Sequence, residues 1–438
     1  MPITPRRRWL TALTLLGVLL FSAYLWLQPL LHIGGGYAAK HACSCHFLQG
    51  RTLDDISTHD LNFSVLGWYT LSVKDSTVRS SLLGLAPREA RLIGHHGCVL
   101  INDERQPLPL GGAAGAPQAR KPQPPSDLPP ATQSLYNEAL DYGMQAVPGG
   151  GARGIVILKN GKLVAERYAE GFDATTLMLG WSMTKTVTGL LVGHLIGKDS
   201  VATTPDRTDN LFPQVWQDKR RKITLANLLH MNSGLAWNEG YGAITDATVM
   251  LHERPDFAAF ALRSQLTEEP GTVWTYSSGT TNIVMEYLSS QLGNHQALYA
   301  MIDSLFAPAA PTLFIEPDQS GRPVGSSYGW ATARDWARIG QLMLQDGIWE
   351  GDTLVPPGWI DLMRQPATGN EENYGAQLWL AGPDMPSLPP DAYMMRGFQD
   401  QRVIVIPSRN MVIARLGHGT DKKADFDGLV SRILAIDE

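Results

Sequence analysis

Ser182 and Lys185 stand three residues apart in the stretch Gly180-Trp181-Ser182-Met183-Thr184-Lys185-Thr186-Val187-Thr188-Gly189. The stretch reads as the start of a helix, and residues three apart on a helix face the same way. The Ser182 hydroxyl and the Lys185 amine are therefore expected within hydrogen-bond reach of each other. A serine hydroxyl is a poor nucleophile at neutral pH until a neighbouring base takes its proton. A lysine buried beside a helix N-terminus loses proton affinity through desolvation and the positive end of the dipole, so Lys185 can be that base. The same terminus leaves backbone N–H groups free to hold an oxyanion. The bare Ser-x-x-Lys pattern is expected about once by chance in a chain of this length. Read in isolation it describes an exposed helix with a serine cap and a solvated lysine.

Three further stretches change that reading. They are Leu228-Leu229-His230-Met231-Asn232-Ser233-Gly234-Leu235-Ala236-Trp237-Asn238-Glu239-Gly240-Tyr241, then Pro270-Gly271-Thr272-Val273-Trp274-Thr275-Tyr276-Ser277-Ser278-Gly279, and last Gly397-Phe398-Gln399-Asp400-Gln401. In this order and at these separations, residues 133 to 438 resemble the serine β-lactamase-like hydrolases, in particular the branch of class C-type esterases and 6-aminohexanoate-dimer hydrolases. The resemblance implies a β-lactamase/transpeptidase-like fold of α/β (α+β type). It implies Ser182 as the acylated nucleophile, Lys185 as the activating base and Tyr276 as the proton carrier to the leaving group. It further implies an oxyanion hole from the backbone N–H groups of Ser182 and Phe398, on an edge strand opening at Gly397. Tyr241, Gly397, Gln399 and Ser278 are the implied substrate-binding residues. A phenol beside a lysine ammonium is expected to ionise more easily than a free one.

The chain also departs from that pattern. Ser278 stands where lactamases carry Asn, and there is neither Ser-Asp-Asn nor Lys-Thr-Gly. The cation that would hold a β-lactam carboxylate is missing unless Arg396 or Arg402 replaces it, and Asp400 replaces a glycine and adds a negative charge. Neutral or cationic esters and amides are the expected substrates. The alternatives are a D,D-peptidase or β-lactamase acting on cell-wall peptides or β-lactams, and a non-catalytic penicillin-recognising receptor or scaffold.

These residues must be positioned by regular elements. Leu135 to Gln145 reads as an amphipathic helix. Gly154 to Leu158 and Leu163 to Tyr168 read as strands joined by a hairpin at Asn160-Gly161. The region from Ile223 to about Ser304 is mostly helical. Strands return at Arg402 to Ile406 and Met411 to Leu416, and a helix closes the chain over Ala424 to Leu434. Strands at both ends predict one antiparallel sheet closed by the two ends of the domain, flanked by helices and carrying an inserted helical half.

Upstream, Arg6, Arg7 and Arg8 precede an apolar run from Trp9 to Leu31, and no Asp, Glu, Lys or Arg occurs between Arg8 and Lys40. The run is long enough to span a bilayer. The arginines predict a cytoplasmic tip (1–8), a transmembrane anchor (9–31) and the remaining chain in the periplasm or outside the cell. A cleaved signal peptide is the alternative, disfavoured by the length of the run and the lack of a small-x-small site.

Residues 32–102 read as a small accessory region holding all three cysteines, with one disulfide expected from Cys98 to Cys43 or Cys45. A Pro/Ala/Gly-rich linker follows over 103–132, and the hydrolase domain occupies 133–438. The formal net charge of −6 argues against a nucleic-acid partner. No metal or cofactor motif occurs, and the partners expected are a small ester or amide and the membrane. His194 reads as packed or solvated. His418, just past a strand, reads as structural ahead of any substrate contact. The sequence does not define an oligomeric state.

Overall fold

Residues Pro5–Gln49 form one continuous helix of 45 residues. The computed structural model describes residues 5–108, 124–145, 150–198, 209–369, 373–419 and 424–437. The side chains of Arg6 to Arg8 and half of the expected linker (109–123) lie outside the described residues.

The first part of the helix is solvent-exposed along its apolar side chains, including Trp9, Leu13, Phe21 and Trp26. An 18-residue window of mean hydropathy 2.0 within it is long and apolar enough to cross a membrane or to serve as a signal sequence. The helix does not stop where the apolar run stops. It continues past Leu31 and becomes buried from Ile33 to Cys45. Gly34, Gly35 and Gly36 make this possible. A Cβ on each would meet Tyr69, Arg88 and His252 respectively at 3.0 Å or less. Three helical glycines cost about 1 kcal/mol each relative to alanine, offset here by close packing.

The accessory region wraps the buried half of this helix. Strands β1 (Tyr69–Lys74), β2 (Thr77–Leu82), β3 (Leu85–Leu92) and β4 (Cys98–Leu100) form an antiparallel sheet in sequential order. Cys43 on the helix is bonded to Cys98 on β4, while Cys45 stays a buried thiol. The expected pairing is thereby narrowed to Cys43.

Two buried carboxylates fasten this region to the rest of the chain. Glu316 accepts bonds from Lys40 Nζ at 2.5 Å, Ser44 Oγ at 2.8 Å, the Cys98 amide at 2.6 Å and Trp330 Nε1 at 2.8 Å. Asp60 accepts from Arg51, Arg153 and His41. Their hydrophobic cluster includes Phe314 and Trp330 of the hydrolase domain. The accessory region therefore shares one core with that domain instead of standing by itself.

In the hydrolase domain, β5 (Gly151–Lys159) and β6 (Lys162–Tyr168) form the expected hairpin. Asn160 and Gly161 take φ of 51° and 73°, the left-handed pair that a two-residue hairpin turn requires. The three-stranded sheet comprises β7 (Leu177–Leu179), β8 (Phe314–Ile315) and β9 (Gly329–Thr332), and β10 (Ile348–Trp349) pairs with β11 (Asp352–Thr353). The remaining strands are β12 (Trp379–Leu380), β13 (Tyr393–Gly397), β14 (Gln401–Ile406) and β15 (Met411–His418).

The main sheet runs β12-β13-β14-β15-β5-β6, so the C-terminal β15 pairs with the N-terminal β5. Closure by the two ends of the domain is as expected, but several smaller sheets accompany it. Helix Pro130–Gly143 begins five residues before the expected start, with proline in its first turn where the missing N–H has no cost. Helix Phe426–Leu434 packs with it on one face of the main sheet. The other face carries the helix Ala333–Leu344 and the helix Met183–Lys198 that follows Ser182, whose residues from Met183 to His194 are all buried.

Peptide mapping without reduction should return a Cys43–Cys98 pair and a Cys45 thiol that reacts only after denaturation. Loss of the pair through Cys98→Ser should lower stability by about 2–5 kcal/mol, read from denaturant unfolding. A Cys45–Cys98 pair would contradict this arrangement.

Candidate active site

Ser182 is half-buried at the turn that enters the helix Met183–Lys198, and Lys185 is buried directly behind it. The Lys185 Nζ lies 3.0 Å from Ser182 Oγ, 2.9 Å from Ser278 Oγ and 3.0 Å from the Ser326 carbonyl. Burial pulls the amine down from its ordinary value to about 8, against the opposing charge of Glu239. An amine so depressed is partly neutral near physiological pH and can accept a proton. The predicted Ser182–Lys185 contact is present.

Ser278 lies in the first turn of helix Ser278–Leu292, capped by Ser277. Its hydroxyl donates to Glu239 Oε1 at 2.5 Å while receiving the bond from Lys185. Glu239 also accepts from the Ser278 amide at 2.8 Å, Trp237 Nε1 at 2.6 Å and the Tyr241 hydroxyl at 2.7 Å. Ser278 thus bridges Lys185 and Glu239.

The Tyr276 ring faces Lys185, with the Nζ 4.8 Å from the ring centroid. The expectation that the lysine eases ionisation of this phenol fails. Burial, reinforced by the negative charge of Glu239, pushes it well above the ordinary tyrosine value, and the influence of the neighbouring Ser182 and Arg396 opposes this only in part. The ring packs with Trp274, Tyr374 and Trp379 in an aromatic cluster.

Gly397 ends β13, and Phe398–Asp400 form a tight turn into β14. The expected edge position is corrected, because the short β12 lies outside β13. A Cβ at Gly397 would stand 2.2 Å from the Gly180 carbonyl, so glycine is what lets this strand end approach the Ser182 turn. Trp181 takes φ of 48° and Gln399 φ of 58°, both left-handed. Their side chains join, Trp181 Nε1 donating to Gln399 Oε1 at 3.1 Å. The N-terminal helix supports both: Tyr37 stacks on Trp181 at 5.9 Å, His41 stacks on it at 6.2 Å, and Gln399 Nε2 donates to the Tyr37 hydroxyl at 3.3 Å. Gln399, expected to bind substrate, has its amide in this contact. Phe398 packs against Trp181 and Tyr241, and the Tyr241 ring is exposed.

Residues 137–437 match the family model described as Beta-lactamase. The chain belongs to the Beta-lactamase family. That membership makes it a serine hydrolase. A 6-aminohexanoate-dimer hydrolase of Paenarthrobacter ureafaciens is 24% identical over 305 residues, covering 64% of this chain and 76% of the relative. Among solved structures, a penicillin-binding protein homologue from Caulobacter crescentus superposes with a TM-score of 0.54 at 17% identity, covering 72% of this chain and all (100%) of its own. A family VIII carboxylesterase gives a TM-score of 0.54 at 14% identity, covering 70% and 96%. At these identities the structural likenesses speak for the fold.

Within this family frame, Arg396 and Arg402 differ in access. Arg402 is buried over the Phe426 ring. Arg396 is half-buried over the Trp379 ring and 3.2 Å from Asp384. Asp400 is buried, its carboxylate accepting from the Ala424 amide at 2.7 Å. His194 is packed, its Nδ1 donating to the Leu354 carbonyl. His418 is buried against Phe63. Among the described residues, His41, Cys45 and Asp60 come close enough to be considered for a metal ion. Their donor set does not fit one, because the guanidinium groups of Arg51 and Arg153 already occupy both Asp60 oxygens.

Sequence reasoning missed Glu239, although the residue lies inside a stretch singled out above. Its only signal is a carboxylate two residues from Trp237 and Tyr241, which carries no rule of its own.

Glu239→Gln removes the charge that holds the Lys185 proton. The ascending limb of kcat/KM against pH, expected near the Lys185 value of about 8, should therefore move to lower pH. An unmoved limb in a folded variant would show that Glu239 does not act on Lys185.

Proposed function

We propose that this chain is a membrane-anchored, extracytoplasmic serine hydrolase that cleaves esters or amides through an acyl-enzyme on Ser182. The observation that carries the reading is the buried Lys185 amine 3.0 Å from the Ser182 hydroxyl. In the proposed step, neutral Lys185 takes the Ser182 proton as Oγ attacks the substrate carbonyl carbon. The backbone N–H groups of Ser182 and Phe398 hold the resulting oxyanion. The carbon–heteroatom bond then breaks, and the proton held by Lys185 passes through Tyr276 to the departing alcohol or amine. Water, deprotonated by the same base, attacks the acyl carbon and releases the acid and free Ser182.

Neutral or cationic substrates are favoured, since Asp384 pairs with Arg396 and Glu239 adds negative charge beside the site. The relative from Paenarthrobacter ureafaciens, named for an amide-bonded dimer, and the carboxylesterase likeness support this range. The exposed apolar part of the N-terminal helix supports the anchor. A second reading rests on Arg396, whose position over Trp379 offers a cation to a carboxylate-bearing β-lactam or cell-wall peptide.

Mass spectrometry after exposure to ester and β-lactam probes separates these readings. Rapid turnover of neutral esters with little β-lactam adduct is expected, whereas a stable β-lactam adduct lost in Arg396→Ala would favour the second. Ser182→Ala should abolish acylation, and Lys185→Ala should be nearly as severe because the two act as a unit. Tyr276→Phe should lower rates by about 10²–10⁴-fold, more on amides than on nitrophenyl esters, whose leaving group needs no proton. Equal losses on both would assign Tyr276 to holding Lys185 instead.

A further inference from the structure

The turn between β2 and β3 is built from Leu83 and Gly84, with φ of 51° and 78°. Two left-handed residues in a two-residue hairpin normally call for Asn-Gly or Asp-Gly. Here the first position is leucine, and it is 88% exposed. Trp68 is 70% exposed and Leu85 46% exposed. These residues are neighbours: Leu82 pairs with both Tyr69 and Leu85, so Trp68, Leu83 and Leu85 share one tip of the accessory sheet. Single exposed apolar residues are ordinary, but a tryptophan and two leucines gathered at one tip are not. At the opposite end of the same hairpins the turn between β1 and β2 is polar, Asp75 and Ser76, and Val73 is the one large exposed apolar residue beside it among the described residues.

The position of this tip along the N-terminal helix is fixed by contacts. The disulfide joins Cys43 to Cys98, which pairs with Leu92 on β3. Lower on the helix, Ser80 Oγ donates to the Gly35 carbonyl at 2.7 Å and Arg88 Nη1 to the His32 carbonyl at 3.3 Å. The Tyr69 hydroxyl, opposite Leu82, donates to the Leu31 carbonyl at 2.7 Å. Going from Leu92 back to Leu85, β3 therefore descends along the helix towards its apolar part. Leu83 lies beyond Leu82, about 3 Å further per residue, which brings it level with the last turns of the apolar run. At about 1.5 Å rise per residue that level lies near Pro29, and the next turn of the apolar run presents Leu27, Trp26 and Leu25 as exposed side chains.

We propose that the Trp68/Leu83/Leu85 tip inserts into the interfacial layer of the bilayer that the N-terminal helix enters, giving the hydrolase domain a second point of attachment. The inference rests on the membrane-anchor reading above. It accounts for a leucine at a turn position that strains its backbone and leaves it in water, and for a tryptophan where interfacial aromatics belong. A helix alone would leave the domain free to tilt. A helix and a hairpin tip held together by Cys43–Cys98 and the Tyr69–Leu31 bond fix its orientation, and with it the direction in which the Ser182 site opens.

The test uses the full chain in vesicles of phosphatidylcholine and phosphatidylglycerol. Leu83→Cys, Leu13→Cys and Leu135→Cys are each labelled with a polarity-sensitive fluorophore; the native Cys45 is buried and Cys43 is bonded to Cys98. The probe at position 83 should emit to the blue and be quenched by nitroxide-bearing lipid, as at position 13. The probe at position 135, on an exposed helix of the hydrolase domain, should stay water-like. A lipid signal at 13 with a water-like signal at 83 overturns the docking proposal while leaving the anchor intact. A water-like signal at both overturns the anchor reading itself. Hydrolysis of a soluble nitrophenyl ester by each labelled protein reports that the domain is folded.

Discussion

The structure depends on keeping one amine out of water. Lys185 is buried among Ser182, Ser278 and the Ser326 carbonyl, and that burial is what depresses its proton affinity. A lysine in water would be almost wholly protonated at neutral pH and useless as a base. The helix Met183–Lys198 is accordingly buried from Met183 to His194, and Gly189 and Gly193 admit Met363 and Trp359 close against it. Glu239 works in the opposite direction, since a nearby carboxylate favours the ammonium. Its charge opposes the desolvation of Lys185 and so favours the ammonium, which in the proposed mechanism would let the amine both take and return a proton.

The turn that carries Ser182 is braced from behind by a segment that could be mistaken for a tether. Trp181 is held in a left-handed conformation that a bulky residue adopts only when its surroundings enforce it. Those surroundings include Tyr37 and His41, on the same helix whose earlier turns are exposed and apolar. His41 is in turn held by Asp60, to which Arg51 and Arg153 also bind. The bond from Trp181 to Gln399 passes the constraint to the turn bearing Phe398. Both halves of the proposed oxyanion hole therefore lean on residues outside the span that matches the family.

What was legible in the sequence follows local rules. Ser182 and Lys185 meet because helical spacing puts them on one face, and Asn160-Gly161 turns because its residue types suit that backbone. The pairing of β15 with β5 was legible at coarse grain because strands occur at both ends of the domain. Glu239 was not, because its importance arises from converging on Ser278, a residue 39 positions away. The extent of the N-terminal helix was hidden for a related reason. Its hydrophobic run ends at Leu31, but the helix continues on small residues, glycines and alanines, that pack against partners remote in the chain. The behaviour of Tyr276 was misjudged because a neighbouring lysine suggests easier ionisation, whereas the aromatic cluster and Glu239 determine the sign.

The two shifts together order the proposed proton path. Lys185 is lowered to about 8 and Tyr276 is raised, so the ammonium is by far the stronger acid of the pair. The amine is lowered towards neutral pH, which suits the proposed acylation, while the phenol keeps its proton. The direction of these shifts supports Lys185, ahead of Tyr276, as the proposed base for Ser182. In the proposed path Tyr276 gives up its own proton to the leaving group as it receives another from the Lys185 ammonium. The phenolate never has to exist free, and the burial that would make it costly also excludes the water that would compete for the proton.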